Sequence, residues 1–210
     1  MGVIKQGILG GFSGSVANVV GSSWKGIAVI KSKPLSVANP QTAAQTTNRD
    51  QFSQAVAFAI AILVGTIKPL LDRIAVKQSG YNFFVSLNKA LFDANGLNTV
   101  ADLVISQGTV EGVADMVGTT NAGADTVTVD WTDNTGTGDS LATDVFYGVI
   151  YNSTKNEALS IVGDVDRSVE TKVQATPVSW DDGDTKHIYG AFRRADGSRA
   201  SNTAYDLADA

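Results

Sequence analysis

The sequence predicts an α+β protein in which a β-hairpin and two or three helices precede an antiparallel β-sandwich. Three observations support this fold class. The apolar residues change from a helical period to a strand-like alternation near residue 96. Glycine and proline, which interrupt regular elements, divide the first hundred residues into short segments. The remaining residues form short β-rich runs separated by clusters of turn-forming residues.

The chain begins with a glycine-rich segment and two β-rich runs. The runs are residues 16–20 and 24–31, and Gly21-Ser22-Ser23 between them predicts a hairpin with a three-residue glycine loop. Pro34 ends the second run because proline has no N–H to donate to a sheet ladder. Residues 7–14 lack the Gly-Lys-Ser/Thr ending of a phosphate-binding loop, so we interpret them as an extended, conformationally permissive arm.

Helical periodicity begins near residue 42. Apolar residues then recur at the spacing of one helical face, at Phe52, Ala55, Val56, Ala59, Ile60 and Leu63. The opposite face is also apolar, so we expect this helix to be buried on most sides. Gly65 and Pro69 interrupt it. Residues 70–77 are predicted to form a second, short helix and residues 81–92 a third.

Seven β-compatible segments follow Asn95-Gly96, where the helical period disappears. Several of them alternate cleanly, as Val127, Val129 and Trp131 do against polar neighbours. Because seven short strands with turn-rich connections are typical of a sandwich, this half is predicted to be an antiparallel β-sandwich. The segments are residues 108–117, 125–131, 145–151, 158–162, 169–175, 187–193 and 201–205.

This predicted sandwich resembles the immunoglobulin and fibronectin type III folds. The chain has no cysteine, so no disulfide bridges the two sheets and the fibronectin type III kind is the closer resemblance. The resemblance implies that Trp131 and Tyr189 are core aromatic residues.

Charge also divides the chain. Residues 1–100 carry nine Lys/Arg and three acids, and residues 101–210 carry seven Lys/Arg and eighteen acids, so a net +6 is followed by a net −11. We therefore predict two domains: residues 1–100, a basic hairpin-plus-helices domain for assembly or anchoring, and residues 101–210, an acidic Ig-like sandwich. Two interpretations remain open, because opposite charges attract within a molecule as readily as between molecules.

Composition excludes several kinds of active site. Without cysteine there is no disulfide framework, thiolate metal site or cysteine nucleophile, and a single histidine, His187, excludes a multi-histidine metal site. No carboxylate and nucleophile stand at a recognisable spacing from His187. We expect no catalytic, cofactor-binding or metal-binding residues, no cofactor and no enzymatic activity. Residues 1–14 do not have the pattern of a secretory leader, so we expect a protein made without export.

Two acidic clusters have the residue types of a calcium site. Asp181-Asp182-Gly183-Asp184 supplies hard oxygen ligands, but its spacing is not that of an EF-hand loop and no glutamate follows at the twelfth position. Aspartate and glycine are also common turn formers. We therefore interpret this cluster, and Asp164-Val165-Asp166, as turns between strands.

The hairpin carries the residue types of a nucleic-acid surface. Trp24-Lys25-Gly26, with Lys31 and Lys33, could stack on a base and contact phosphates. However, the basic residues are sparse and one aromatic residue stands alone. Packing of Trp24 against the helices is the favoured interpretation, because tryptophan usually buries most of its area.

The N-terminal half resembles a known family. The segments that carry the resemblance occur in a fixed order: GILGGFSG at residues 7–14, VVGSSWKG at residues 19–26, Asn39-Pro40 with Gln41 and Thr42, and Ser79-Gly80-Tyr81-Asn82. They are similar to those of uncharacterised proteins of about this length from Bacteroidota and from phages and prophages of that group. The resemblance covers most of residues 1–92. It implies small, unexported proteins, some in viral or prophage gene neighbourhoods, with no known catalytic residues.

These observations favour a structural protein of a bacteriophage virion, associated with the capsid or the tail and located in the particle. Its N-terminal half would assemble with other copies or other virion proteins, with residues 1–15 packed on another subunit, while the Ig-like domain projects. We expect no small-molecule substrate and no membrane; nucleic-acid contact stays a less favoured option. The alternative is a soluble bacterial Ig-like module that recognises a glycan or a protein through Trp180 and Tyr151, if these are exposed.

Overall fold

The structure, a computed structural model, describes residues 3–4, 11–36 and 39–208. It confirms the α+β class, with an N-terminal hairpin-like sheet and antiparallel sheets in a sandwich-like arrangement. The chain separates into two compact units, Met1–Thr42 and Ala43–Ala210, which we call the N-terminal and C-terminal units. This division differs from the predicted boundary near residue 100, because the helices pack against the sandwich in the C-terminal unit.

The N-terminal unit is an antiparallel four-stranded sheet. Its strands run in the order β1 to β4 and comprise β1 (Val3–Ile4), β2 (Phe12–Val16), β3 (Val19–Trp24) and β4 (Ile27–Ser32). Two-residue turns at Ala17-Asn18 and Lys25-Gly26 connect β2, β3 and β4. Lys25 (φ 48°) and Gly26 (φ 84°) both have positive φ, which a tight hairpin turn matched to the strand twist requires.

The predicted hairpin loop is wrong, because Gly21-Ser22-Ser23 lies inside β3. Gly21 pairs with Gly14 on one side and with Ile30 on the other. A Cβ atom at Gly21 would stand only 2.7 Å from Cδ2 of Phe12 and 2.3 Å from its carbonyl oxygen. Glycine at position 21 of β3 therefore leaves room for Phe12 of the neighbouring strand β2, and it forms no loop.

The C-terminal unit begins with helices. These are α1 (Ala43–Ala61), a π-helical segment (Leu63–Ile67), α2 (Lys68–Leu71) and α3 (Gly80–Asn88), with a 3₁₀ turn at Lys89–Leu91. Gly65 lies in the π-helical segment, and Pro69 lies in the first turn of α2, where a helix needs no N–H donor. The predicted helix over 70–77 is too long, since α2 ends at Leu71. The Ser79 Oγ accepts a hydrogen bond from the Asn82 N–H and caps α3.

All seven predicted sandwich strands are present. After the short strands β5 (Phe92–Asp93) and β6 (Gly96–Leu97) and a 3₁₀ turn (Val100–Asp102), the sandwich strands are β7 (Ala114–Asn121), β8 (Thr126–Thr132), β9 (Val145–Asn152), β10 (Glu157–Ile161), β11 (Thr171–Ala175), β12 (Lys186–Arg193) and β13 (Ala204–Leu207). A 3₁₀ turn (Arg167–Val169) precedes β11. One sheet has the order β10-β9-β12-β13 and the other β11-β8-β7. The first predicted strand starts six residues late, at Ala114, because residues 108–113 do not form a ladder.

Two cores lie on opposite faces of the four-stranded sheet of the sandwich, β10-β9-β12-β13. Between the two sheets, Trp131 stacks on Phe146 at 4.5 Å between ring centroids. On the other face, Phe58 of α1 packs on Tyr151 of β9 at 5.4 Å and shares a cluster with Tyr189. Both Trp131 and Tyr189 are buried, as predicted, although Tyr189 faces the helices. Because the helices cover a face of the sandwich, they cannot form a separate domain with the hairpin.

A buried ion pair organises one end of the sandwich. Arg167 is fully buried, donates to the Asp144 carboxylate at 3.2 Å and stacks on the Phe192 ring at 3.8 Å. It also donates to the carbonyl oxygen of Glu111 at 2.9 Å and to the side chain of Asn134. Asp144 accepts a second ion pair, from Arg194, at 2.9 Å. These contacts join the loops before β7, β9 and β11.

Candidate functional site

The N-terminal sheet carries apolar side chains on both faces. Residues paired across an antiparallel ladder share a face, and alternate residues point to opposite faces. The pairing therefore places Val20, Val29, Trp24, Ile27 and Lys31 on one face. It places Val16, Val19, Ala28 and Ile30 on the other face. The sheet therefore lacks the division into one apolar and one polar face that is typical of a sheet with one solvated side.

Much of this apolar surface is exposed. Trp24 is 64% exposed, and Ile27 and Ile30 are each 62% exposed. Every residue of β4 is exposed, and β4 is also the last strand in the sheet order. A strand at a sheet edge offers backbone N–H and C=O groups to another chain unless charges or proline obstruct it. The single charged residue of β4 is Lys31, so this edge has little such protection.

The charge of this unit has one sign. Residues 1–42 contain four lysines (Lys5, Lys25, Lys31 and Lys33) and no acid. The Lys25 Nζ lies 5.1 Å from the centroid of the Trp24 ring, a cation–π arrangement at the tip of the β3–β4 hairpin. The tip therefore presents an exposed indole and a cation together. We define Trp24, Lys25, Gly26 and Ile27 as the hairpin tip.

The structure corrects the expectation for Trp24, whose ring is exposed instead of packed. Lys25, Lys31 and Lys33 are exposed as well. The prediction of an extended arm over residues 7–14 falls partly outside the described residues. Of that arm, Phe12–Gly14 lie in β2.

The acidic cluster at residues 181–184 forms a turn held by lysines. The Lys155 Nζ pairs with Asp181 at 2.7 Å, and the Lys186 Nζ donates to the carbonyl oxygen of Asp181 at 2.8 Å. The Asp184 carboxylate accepts from the Asn152 amide at 2.7 Å and from the Asp181 N–H at 2.9 Å. Among the residues that the structure describes, no three acidic, histidine or cysteine side chains are grouped to hold a metal ion.

The second acidic cluster is also a connection between strands. Asp164 pairs with Lys172 at 2.6 Å, and Asp166 forms an isolated bridge with Val145. These contacts explain the placement of the two residues without a ligand.

His187 lies in β12 between two hydroxyl groups. Its Nδ1 is 3.0 Å from the Tyr205 hydroxyl and its Nε2 is 3.2 Å from the Ser153 Oγ, with the proton on either nitrogen. Burial lowers the pKa of His187 below its usual value. The sequence separates these three side chains by up to 52 positions, so no local spacing could have shown the cluster. Both partners are hydroxyls, whereas a histidine that acts as a general base is usually oriented by a carboxylate.

The C-terminal unit has a cleft between α1, β10 and the loop before β12. It measures about 270 Å³, and its apolar walls include Ala57, Ala61, Leu159, Pro177 and Trp180. The Trp180 Nε1 donates to the Glu157 carboxylate at 2.5 Å, at the polar end of the cleft. The sequence did not reveal this cleft, because its walls come from three distant segments.

Trp180 and Tyr151 do not form an exposed aromatic platform. Trp180 is 4% exposed and Tyr151 is 1% exposed. The Tyr151 hydroxyl donates to Asn156 at 3.0 Å and accepts from the Leu97 N–H at 3.2 Å. Both aromatic residues therefore serve the interior of the unit.

The apolar helices raise the question of a membrane span. Among the described residues, no single helix has the length and hydropathy that a span requires. The pair Ala43–Ala61 and Leu63–Leu71 meets these criteria only together, by length and composition, and it is bent by 71°. In the folded unit, apolar residues of this pair such as Phe58, Ile67 and Leu71 are buried in the core.

A family model described as a family of unknown function, DUF6266, matches residues 11–206. This match confirms the predicted membership of a family of uncharacterised proteins. No curated protein and no solved structure matches the chain.

Proposed function

Since the chain belongs to the DUF6266 family, whose function is unknown, we propose from its own surface that it is a structural protein that self-assembles through its N-terminal sheet. The carrying observation is the sheet's exposed apolar surface: the neighbouring Trp24 and Ile27 on one face, and Ile30 on the other, are all more than half exposed. Contiguous exposed apolar residues usually mark an interaction site, because leaving them in water forfeits the free energy of burial.

The single-sign charge of the N-terminal unit supports assembly with an acidic surface. Its four lysines stand without an acid, while the rest of the chain carries twelve bases and twenty-one acids. A second copy of the chain is therefore a suitable partner, because it carries the opposite net charge outside its own N-terminal unit and is always present at the same concentration. Electrostatic complementarity of this kind raises the association rate and selects the partner.

The histidine and the clustered aspartates of the C-terminal unit, which are its candidates for acid–base or metal chemistry, are bonded to other side chains and to the backbone. His187 bonds two hydroxyls, and the aspartates at 181–184 bond lysines, amides and backbone groups. An enzyme would need such groups to converge on an accessible cavity. This arrangement favours a structural role over catalysis.

The particle in which the protein assembles is inferred from the resemblance of residues 1–92 to proteins of Bacteroidota phages and prophages. We propose that it is a bacteriophage virion, with the Ig-like sandwich on the outside and other copies or virion proteins as partners. The interpretation as a glycan- or protein-binding module loses its proposed contact residues, because Tyr151 and Trp180 are buried.

Self-assembly is tested by light scattering and negative-stain microscopy on the full chain. We expect rings, tubes or other species larger than the 21.9 kDa monomer, formed in a concentration-dependent way. Ile27→Lys, which places a charge on the exposed hairpin, should abolish these species. Leu35→Lys is the matched control, because Leu35 is 94% exposed and lies outside the strands of the same unit. A wild-type chain that stays monomeric at every concentration refutes the proposal.

The location in a virion needs its own experiment. Particles purified after prophage induction of a strain that carries the gene should contain the protein in a constant ratio to the major shell or tube protein. Detection in the cell but not in the particles would leave self-assembly standing and refute the virion.

A further inference from the structure

We propose that the cleft between α1 and β10 receives the hairpin tip of a second copy, so that copies join head to tail. This inference rests on the proposed self-assembly and names the surface that the N-terminal sheet engages. Each copy would then offer one tip and one cleft. Such a heterologous contact builds rings where the rotation closes and open filaments where it does not.

The size of the cleft fits an aromatic side chain. At about 270 Å³ it falls just below the roughly 300–1,000 Å³ of sites for drug-sized ligands. Its apolar walls offer an indole the burial that Trp24 lacks in the hairpin. Tryptophan is prominent among the few residues that supply most of the free energy of an interface, and such residues usually enter a pocket.

The charge beside the cleft complements the tip, because one carboxylate lies in its wall and others follow a wall residue in the chain. The exposed Glu157 lines the cleft, and the exposed Asp181 and Asp182 follow Trp180 directly. Lys155 pairs with Asp181, and the buried Lys186 donates to carbonyl oxygens of the same turn, so these two lysines neutralise part of the charge. The four carboxylates of Glu157, Asp181, Asp182 and Asp184 still outnumber them. Lys25 would enter beside Trp24, over whose ring it already lies.

A second groove is larger but fits the tip less well. It measures about 510 Å³ beside Phe52 and Tyr81 and includes Lys89 in its wall. Lys89 has the same sign as every charged residue of the N-terminal unit. Like charges at an interface weaken association, so charge selects the α1–β10 cleft.

The cleft is held open by polar contacts on its walls. The Asn156 amide donates to the Gln54 side chain at 3.1 Å, which connects the β9–β10 turn to α1. The Gln54 amide donates in turn to the Ala94 carbonyl oxygen at 3.2 Å. A preformed site loses less conformational entropy on binding than one that must be ordered.

The test is sedimentation velocity on full-length variants. Trp24→Ala removes the tip's indole and Ala57→Trp fills the cleft; both residues are exposed, so both variants should melt as the wild type does. Each should raise the apparent dissociation constant of assembly by at least about tenfold. Ala44→Trp, an exposed position of α1 away from the cleft, is the matched control and should assemble normally. Ala61→Trp replaces Ala57→Trp if the latter does not fold.

Mixing the two variants gives the sharpest readout. Trp24→Ala keeps an intact cleft and Ala57→Trp keeps an intact tip, so an equimolar mixture should form a 1:1 complex and nothing larger. If Ala57→Trp and Ala61→Trp both assemble as the wild type does, the inference fails while self-assembly stands. A wild type that never associates refutes both.

Nucleic acid is the competing occupant of the tip. Anisotropy with a labelled single-stranded oligonucleotide should show no difference between the wild type and Trp24→Ala. Binding that Trp24→Ala removes and Ala57→Trp leaves intact would overturn the inference, since it would assign the tip to nucleic acid.

Discussion

The two units of this chain place their aromatic residues in opposite environments. In the C-terminal unit, Trp131 is 4% exposed and Phe58 is buried between helix and sheet. In the N-terminal unit, Trp24 is mostly exposed on a sheet whose two faces are both apolar. Stability in the C-terminal unit comes from layers that cover one another. The apolar surface of the N-terminal unit is available for a partner, and the predictions below test that contrast.

The largest effect is expected from cutting the chain at the boundary that the sequence predicted. A fragment of residues 101–210 lacks α1 and α3, which cover one face of the β10-β9-β12-β13 sheet. We expect it to be unfolded or aggregated, because Tyr151 and Tyr189 would be left in water. A fragment of residues 43–210 should fold. Circular dichroism and limited proteolysis measure both, and a stable 101–210 fragment would contradict the shared core.

Breaking the buried ion pair should come next. Asp144→Ala leaves the Arg167 guanidinium buried without its charge partner and should lower the free energy of unfolding by about 3–5 kcal/mol. Arg199→Ala removes a half-exposed ion pair with Asp139 and should cost less than about 1 kcal/mol. Urea unfolding gives both values. Equal losses would mean that burial does not govern these pairs.

Matched tryptophan substitutions compare the two units directly. Trp131→Ala should lower the free energy of unfolding by about 3–5 kcal/mol, since it empties a stacked position between the sheets. Trp24→Ala should change it by less than about 0.5 kcal/mol, because its ring is exposed. Chemical unfolding at a concentration where the protein is monomeric separates this effect from assembly. A large loss with Trp24→Ala would show that the hairpin has an interior of its own.

A smaller effect is expected from His187. Burial holds its pKa below the usual 6.5, so at acidic pH the unfolded chain takes up a proton that the folded chain resists. This contribution is absent above pH 6.5 and destabilises the fold progressively as the pH falls below that value. His187→Gln should flatten the fall in Tm between about pH 7.5 and about pH 5.5. An unchanged slope would mean that other groups govern it.

The smallest effect is expected from metal ions. Calcium or EDTA should leave the Tm unchanged, because Lys155 and Lys186 already hold the turn at residues 181–184. A ligand that binds only the folded state raises its Tm. A rise of several degrees with calcium, lost in Asp182→Asn, would show a site at this turn.

The sequence alone determined the positions of the strands and most helices of the C-terminal unit. Val127, Val129 and Trp131 alternate with polar residues, and this two-residue period reports one buried face whatever covers it. The helix through Phe58 is also predicted from its apolar period, but the expectation that it is buried on most sides is wrong: Ala55, Phe58 and Ala59 are buried, whereas Phe52 and Ile60 are more than half exposed. Local periodicity carries this information because backbone geometry fixes which side chains share a face.

Only the tertiary structure decided which faces meet. The apolar period of α1 indicates that a face of the helix packs on a partner, but not that the partner is the sheet that contains β9 and β12. Arg167 reads as an ordinary surface charge until Asp144, 23 positions away, reaches it in the interior. Gly21 looked like a loop residue, whereas its lack of a Cβ serves the approach of Phe12. In each case the deciding neighbour is distant in sequence or set by strand register, and local periodicity does not encode such contacts.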